Sequence, residues 1–267
     1  MPPTSVPDTS SQPEIGGARD LQGRVVVVTG GARGIGRATC IALARRGAHV
    51  AVADLDVADA ASVADEVRAA GGIAEAFPCD VRSQTSMDAL MAAVIDRFDR
   101  LDVLVPNAGV ASRAFVHELE EAEFERLLDV NLLGVFRTCR AALPYLHAQH
   151  RGTIVIVASD ASKEGEGGAA AYTASKFGVL GFMESLAEES RDRGVRVNAV
   201  CPTGVRTALS LTLKRADGSP YDSSSWLDPE DVAEVIAFLA SDASGAMTGT
   251  SVDIPGGVRS PDGSAPA

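Results

Sequence analysis

Four consecutive β-branched residues, Val25 to Val28, run directly into Thr29-Gly30-Gly31-Ala32-Arg33-Gly34-Ile35-Gly36. An uninterrupted run of this kind suits a strand buried on both faces, as in the interior of a parallel sheet. The glycine turn then opens a segment with helical periodicity, so the chain begins its folded part as strand, turn and helix. Similar runs recur at residues 49–53, 73–77, 101–105, 153–158, 195–201 and 251–254, so seven strands are predicted. Between them Met87, Leu90, Met91, Val94, Ile95 and Phe98 form an apolar stripe at spacings of three and four, a core-facing helix surface. Asp228-Pro229-Glu230-Asp231 announces another helix, with a capping residue, a proline at the first helical position and acids in the first turn. Strand and helix alternate without an internal repeat. The predicted architecture is α/β: one domain, residues 21–259, built on a doubly wound parallel seven-stranded sheet.

Residues 1–20 are rich in Pro, Ser, Thr and Asp, and residues 260–267 in Pro, Gly and Ser, so both are expected to be disordered tails. The start has neither a basic segment nor an apolar one of the kind that directs secretion, and no apolar run reaches the roughly 20 residues of a membrane helix. A cytoplasmic protein with no membrane partner is expected. The net charge of −12 repels phosphate backbones, which argues against nucleic acid as a partner. Cys40, Cys79, Cys139 and Cys201 are far apart and form no C-x-x-C pair, so no metal site or disulfide framework is predicted.

Ligands of such sheets bind at the carboxyl ends of the strands where strand order reverses. The glycine turn belongs there. It lets the backbone approach a pyrophosphate, which the free amides at the start of the next helix favour. Gly30, Arg33, Gly34, Ile35 and Gly36 are therefore candidate cofactor-binding residues. Asp54, at the end of the second strand, would accept both hydroxyls of an adenosine ribose and repel a 2′-phosphate. Arg33 pulls the other way, as a cation beside the same site. The balance favours NAD, with NADP as the alternative.

Further along, Tyr172 and Lys176 lie four residues apart, on one face of a helix, thirteen residues after Ser159. A phenol with a reference pKa of about 10 is a poor base at neutral pH, and an ammonium one turn away favours its ionised form. The pair alone recurs by chance; its meaning comes from the glycine turn upstream. With Pro106-Asn107-Ala108-Gly109, and Asn131 in Asp129-Val130-Asn131-Leu132-Leu133-Gly134, these residues resemble the classical short-chain dehydrogenase/reductase family over roughly residues 21–257. The resemblance implies a Rossmann fold. It also implies that Asp80 and Val81 contact adenine, that Asn107, Ala108 and Gly109 support the sheet beside the adenosine ribose, and that Pro202, Gly204, Val205 and Thr207 hold the nicotinamide. Two positions depart from the family pattern: Pro106 replaces an asparagine, and Pro202-Thr203-Gly204 replaces a Pro-Gly pair.

The function implied is interconversion of a secondary alcohol and a ketone, with a small-molecule substrate. Tyr172 would exchange the hydroxyl proton, Lys176 would lower its pKa and bind the nicotinamide ribose, Ser159 would orient the substrate oxygen, and Asn131 would hold a water in a relay. The same fold leaves other readings: a catalytically silent NAD-binding sensor or scaffold, or reduction of a 3-oxoacyl thioester. The complete Asn131, Ser159, Tyr172 and Lys176 set argues against the sensor. A nucleotide-sugar epimerase would need a substrate domain after the sheet. His49, His117, His147 and His150 fall in no motif. Residues 208–227 form a long connection expected to act as a lid, and the charged stretch 160–168 is expected to face water. Apolar side chains on the helical segments 118–146 and 172–189 exceed what one sheet face needs, so a homotetramer or homodimer is expected.

Overall fold

A computed structural model of the chain describes residues 19–256. The expected tails lie outside that range except for Arg19 and Asp20, and Asp20 pairs with Arg46 (3.3 Å). In chain order the elements are β1 (Val25–Thr29), α1 (Gly34–Arg45), β2 (His49–Asp54), α2 (Val57–Ala69), β3 (Ile73–Pro78), α3 (Gln84–Phe98) and β4 (Val103–Val105). There follow α4 (Glu121–Leu128), a π-helical turn at Asp129–Leu133, α5 (Gly134–Ala148), β5 (Gly152–Val157), α6 (Ala170–Ser190), β6 (Val195–Pro202), α7 (Ala208–Thr212), α8 (Pro229–Ala240) and β7 (Ser251–Ile254). The seven strands form one parallel sheet in the order β3-β2-β1-β4-β5-β6-β7. The doubly wound α/β sheet expected from the alternation of strands and helices is therefore present.

The valine run shows why the sheet is covered on both sides. Val25 and Val27 join the core under α3, α5 and α6, while Val26 and Val28 join the opposite core under α1, α2 and α8. Side chains alternate along a strand, so four adjacent apolar residues suit only a strand with a layer on each face. All four are at most 1 % exposed, and each contributes about 1.5–3 kcal/mol by burial. The helix stripe behaves the same way: Met87, Leu90, Met91 and Val94 of α3 are buried against the first of these cores.

One strand starts later than the β-branched pattern suggests. β4 begins at Val103; just before it Asp102 bonds Val25 and Thr153 through its backbone, and its carboxylate accepts from the Val25 amide (2.9 Å) and from Arg100 (Nε, 2.8 Å). A strand spanning 101–105 would have had no way to announce that polar anchor. The segment at 208–227 also holds more structure than a plain lid. It contains α7, an antiparallel bridge between Lys214 and Pro220, and a parallel bridge between Val205 and Leu227.

Strand order reverses between β1 and β4. The β1 turn, the end of β4, the end of β5 and the end of β6 therefore open on one crevice.

Candidate active site

A cavity of about 870 Å³ occupies this crevice. At one end lies the glycine turn. The β1–α1 connection turns sharply because Gly36 packs directly on it: a Cβ there would lie 2.0 Å from the Gly30 carbonyl oxygen. Asn107 locks the turn to β4, donating from its side chain to the Thr29 and Gly30 carbonyls (both 3.0 Å) and from its amide to Thr29 Oγ1 (3.1 Å). At the start of α1, Arg33 makes no side-chain capping bond and the first turn carries no acidic residue. The amides of that turn are thus left to a ligand, and Gly34 and Ile35 face the cavity. This fits a pyrophosphate group.

Beside the turn, both carboxylate oxygens of Asp54 are held by backbone, one by the Ala32 amide (3.0 Å) and the other by the Asp56 amide (3.1 Å). Its charge is oriented at the cavity rim. Arg33 is committed to two other carboxylates, donating to Asp59 (Nε, 2.6 Å) and to Asp56 (3.1 Å). Those acids hold its charge above the usual arginine range, with Asp59 the main cause. The Arg33 cation that the sequence sets against Asp54 is thus paired with two other acids, in exposed ion pairs.

At the other end lie Ser159, Tyr172 and Lys176. Ser159 closes β5 and caps the following turn, accepting from the Ala161 amide (3.2 Å) and donating to Asp160 Oδ1 (2.8 Å). Tyr172 and Lys176 come from the first turns of α6, and Lys176 Nζ lies 5.8 Å from the centre of the Tyr172 ring. The ammonium is buried and donates to the Val157 carbonyl (3.0 Å), and burial pushes its pKa down to about 8.

Tyr172 departs from expectation. Burial raises its pKa above the ordinary phenol value, outweighing a hydrogen bond with Ser159 and the charge of Arg113, which both lower it. Lys176 is directed at the Val157 carbonyl and is not among the groups that lower it. Desolvation of the anion dominates, although the side chain is half-buried and lines the cavity.

The buried ammonium carries a stability consequence. A pKa lowered from 10.5 to about 8 corresponds to about 3 kcal/mol of disfavoured charge at neutral pH. That cost is fully present below pH 8 and fades as pH rises toward the unfolded value. Lys176→Met is therefore expected to raise the melting temperature at pH 7 by about 2 °C or more, with the gain shrinking by pH 10. Calorimetry across that range checks it, and a lowered melting temperature at pH 7 would contradict it.

Most of the residues singled out from the sequence line this cavity: Gly30, Arg33, Gly34, Ile35, Asp54, Asp80, Val81, Asn107, Ala108, Gly109, Ser159, Tyr172, Lys176, Pro202, Gly204, Val205 and Thr207. Asp80 is drawn to Arg82 (2.8 Å), which holds its carboxyl below the usual range. Thr207 Oγ1 caps α7, accepting from the Ser210 amide (3.2 Å). Gly204 gives Trp226 room: a Cβ would lie 2.5 Å from the indole nitrogen. That contact accounts for a glycine in the altered Pro-Thr-Gly segment.

Two of the expected residues stand outside the wall. Gly36 lies beneath the turn and packs rather than approaches a ligand. Asn131, in the π-helical turn, is fully buried and spends both amide hydrogens within the protein, on the Val110 carbonyl (2.9 Å) and Ser175 Oγ (3.1 Å). Its Oδ1 accepts from the Val110 amide (2.8 Å). This side chain pins the loop after β4 and has no free amide hydrogen for the water expected of it.

The 160–168 stretch is mostly exposed, as expected of a segment facing water, with one addition. Asp160 and Glu166 line the cavity instead of facing only bulk water. Arg113 and Arg126, which carried no sequence signal, also line it, and so does Tyr221 of the lid. None of the four histidines reaches the wall. The four cysteines are buried free thiols, and burial pushes Cys79 up to about 12, so none is poised as a nucleophile. Among the described residues no group of His, Cys, Asp and Glu is arranged to hold a metal ion, and no helix is long and apolar enough to cross a membrane.

Residues 24–217 match the family model described as short chain dehydrogenase. The chain is 38% identical over 244 residues to D-threitol dehydrogenase of Mycolicibacterium smegmatis, covering 89% of this chain and 93% of that one. It is 34% identical over 242 residues to the 3-oxoacyl-(acyl-carrier-protein) reductase FabG of Thermotoga maritima, covering 89% and 98%. Among solved structures, a 3-ketoacyl-(acyl-carrier-protein) reductase from Brucella melitensis complexed with NADH superposes with a TM-score of 0.81 at 30% identity, covering 89% of this chain and 98% of that one. The seven-stranded Rossmann fold, the crevice at its switch point and these likenesses together place the chain in the short-chain dehydrogenase family of oxidoreductases.

Proposed function

We propose that the protein is an NAD-dependent oxidoreductase that interconverts a secondary alcohol and a ketone, with Tyr172 as general acid and base. The observation that carries this reading is the meeting of Ser159, Tyr172 and Lys176 on the wall of the same cavity that takes in the α1 turn and Asp54. When bound, the nicotinamide supplies hydride transfer. The chain's own residues do the rest. Asp54 accepts from the ribose hydroxyls, and the first-turn amides of α1 bind the pyrophosphate. In oxidation the Tyr172 phenolate takes the hydroxyl proton; in reduction the phenol returns it. Ser159 turns its hydroxyl from Asp160 to the substrate oxygen, orienting it and stabilising charge that develops there. Lys176 binds the nicotinamide ribose.

The sensor reading loses ground because a sensor has no use for the substrate end. For the substrate itself, the named relatives suggest two classes, polyols and 3-oxoacyl thioesters. The cavity wall carries acids (Asp160, Glu166) and cations (Arg113, Arg126) together, so both substrate classes enter the test. The test is a panel of alcohols, polyols, ketones and 3-oxoacyl thioesters, followed by the absorbance of reduced nicotinamide. No turnover with any class would refute the enzyme reading, and turnover with the thioesters alone would reassign the substrate.

Assembly into a homotetramer or homodimer belongs to the same proposal. Leu133, Phe136 and Phe177 are between 41% and 46% exposed on the segments expected to pair, and Phe136 meets Phe182 edge to face (6.2 Å). Apolar side chains clustered on neighbouring helices suit a self-complementary contact. Light scattering at micromolar concentration is expected to give a mass of at least twice the 27.5 kDa chain. A monomer mass would refute it.

A further inference from the structure

We propose that Arg113 is a positioning residue for the proton transfer assigned to Tyr172: clamped between the Tyr172 ring and Tyr221 of the lid, its guanidinium holds the phenolate form. The inference rests on the reading of Tyr172 given above.

Three separate segments meet at this side chain. Arg113 follows β4, Glu166 precedes α6, and Tyr221 belongs to the lid. Arg113 Nε donates to Tyr221 Oη (3.0 Å), its Nη2 to Glu166 Oε2 (3.3 Å) and its Nη1 to the Ser112 carbonyl (3.2 Å). Tyr221 Oη in turn donates to Glu166 Oε1 (2.7 Å), closing a ring of bonds. The Ala114 amide donates to the Gly168 carbonyl (2.9 Å), so backbone joins two of the three segments. The Arg113 side chain is only 10% exposed, and its guanidinium carbon lies 5.2 Å from the Tyr172 ring centre and 5.9 Å from that of Tyr221. A cation over an aromatic ring is attracted to its face, and the attraction grows when the ring becomes a phenolate.

The other groups around Tyr172 make this cation matter. Lys176, on α6 itself, aims at the Val157 carbonyl. Ser159 favours the phenolate through a hydrogen bond, more than Arg113 does, but its hydroxyl is shared with Asp160, whose carboxylate disfavours the phenolate. Glu166 partly neutralises Arg113. As pH rises through about 8, Lys176 loses its charge, whereas a guanidinium keeps its own. Arg113 is then the cation that remains beside the ring. The fork geometry also explains arginine rather than lysine, because three acceptors in different directions share one planar group.

The test measures kcat/KM for alcohol oxidation against pH at saturating NAD, together with direct ultraviolet titration of the Tyr172 phenolate, obtained by subtracting the Tyr172→Phe spectrum. Arg113→Met is expected to move both midpoints upward by about half a pH unit or more, as loss of a neighbouring cation does, with NAD affinity unchanged. Glu166→Gln keeps an acceptor for Tyr221 but removes the neutralising charge, so its midpoints move downward. Arg113→Lys keeps the charge and holds the midpoints near the parent value. Midpoints that stay in place in Arg113→Met, whatever happens to KM, would overturn the proposal. If Arg113→Met does not fold, unmoved midpoints in Glu166→Gln overturn it. The ultraviolet titration needs no substrate, so it still decides the role of Arg113 if Tyr172 proves dispensable for turnover.

Discussion

Tyr172→Phe is expected to lower turnover at least about a hundredfold, the usual contribution of a positioned proton donor or acceptor, while NAD binding stays within about twofold. The substitution keeps the ring that Arg113 and Lys176 face and removes only the oxygen. The pH dependence of the parent enzyme follows with a definite sign. Burial favours the neutral phenol, so the base form needed for alcohol oxidation accumulates only as pH rises. Log kcat/KM for oxidation should climb with pH to a plateau, and for ketone reduction should fall over the same interval, because the acid form is then the reactive one. Steady-state rates in both directions check this. Near-parent rates in Tyr172→Phe would reassign the proton transfer, and a flat oxidation profile would mean that another group titrates.

Asp54→Ala is expected to swing the ratio of NADP to NAD affinity by tenfold or more toward NADP. In the parent, a 2′-phosphate would meet an oriented carboxylate whose backbone donors keep it at the rim. Two like charges about 4 Å apart repel by about 1 kcal/mol in water and about 4 kcal/mol at the effective dielectric of a protein surface. A factor of ten needs about 1.4 kcal/mol, within that interval. The mutation also removes the acceptor for two amides, so NAD binding should weaken at the same time. A second step sharpens the test. Asp56→Ala with Asp59→Ala in the Asp54→Ala background releases Arg33 from its ion pairs and should strengthen NADP binding further. Fluorescence titration of both cofactors reads all of these changes. Parent protein that binds NADP as tightly as NAD would refute the assignment.

Much of this molecule is legible in one dimension. The four valines of β1 specify a strand covered on both sides, and the glycines after them specify the sharp turn, because both rules act between neighbours in the chain. The α3 stripe reads equally directly, since a helix repeats its faces every three to four residues. Asp54 could be placed because it ends a strand adjacent to the turn, and strand ends are local features. Tyr172 and Lys176 are one helical turn apart wherever that helix lies.

The tertiary structure decided what neighbours in space do to these groups. Arg33 and Asp54 compete on paper, but the fold brings Asp56 and Asp59, at the start of α2, to Arg33 and gives it ion-pair partners other than Asp54. Asn131 looks available until the chain after β4 folds onto it and Val110 occupies both ends of its amide. Lys176 was expected to depress the Tyr172 pKa. Burial raises that pKa instead, because desolvation depends on every wall of a cavity and on no single spacing. Arg113, Glu166 and Tyr221 are separated by more than fifty residues at each step and meet only when three loops close over one ring. Periodicity and backbone sterics are short-range in sequence and so can be read from it. Charge pairing and solvation are short-range in space, and only the fold determines which residues are near.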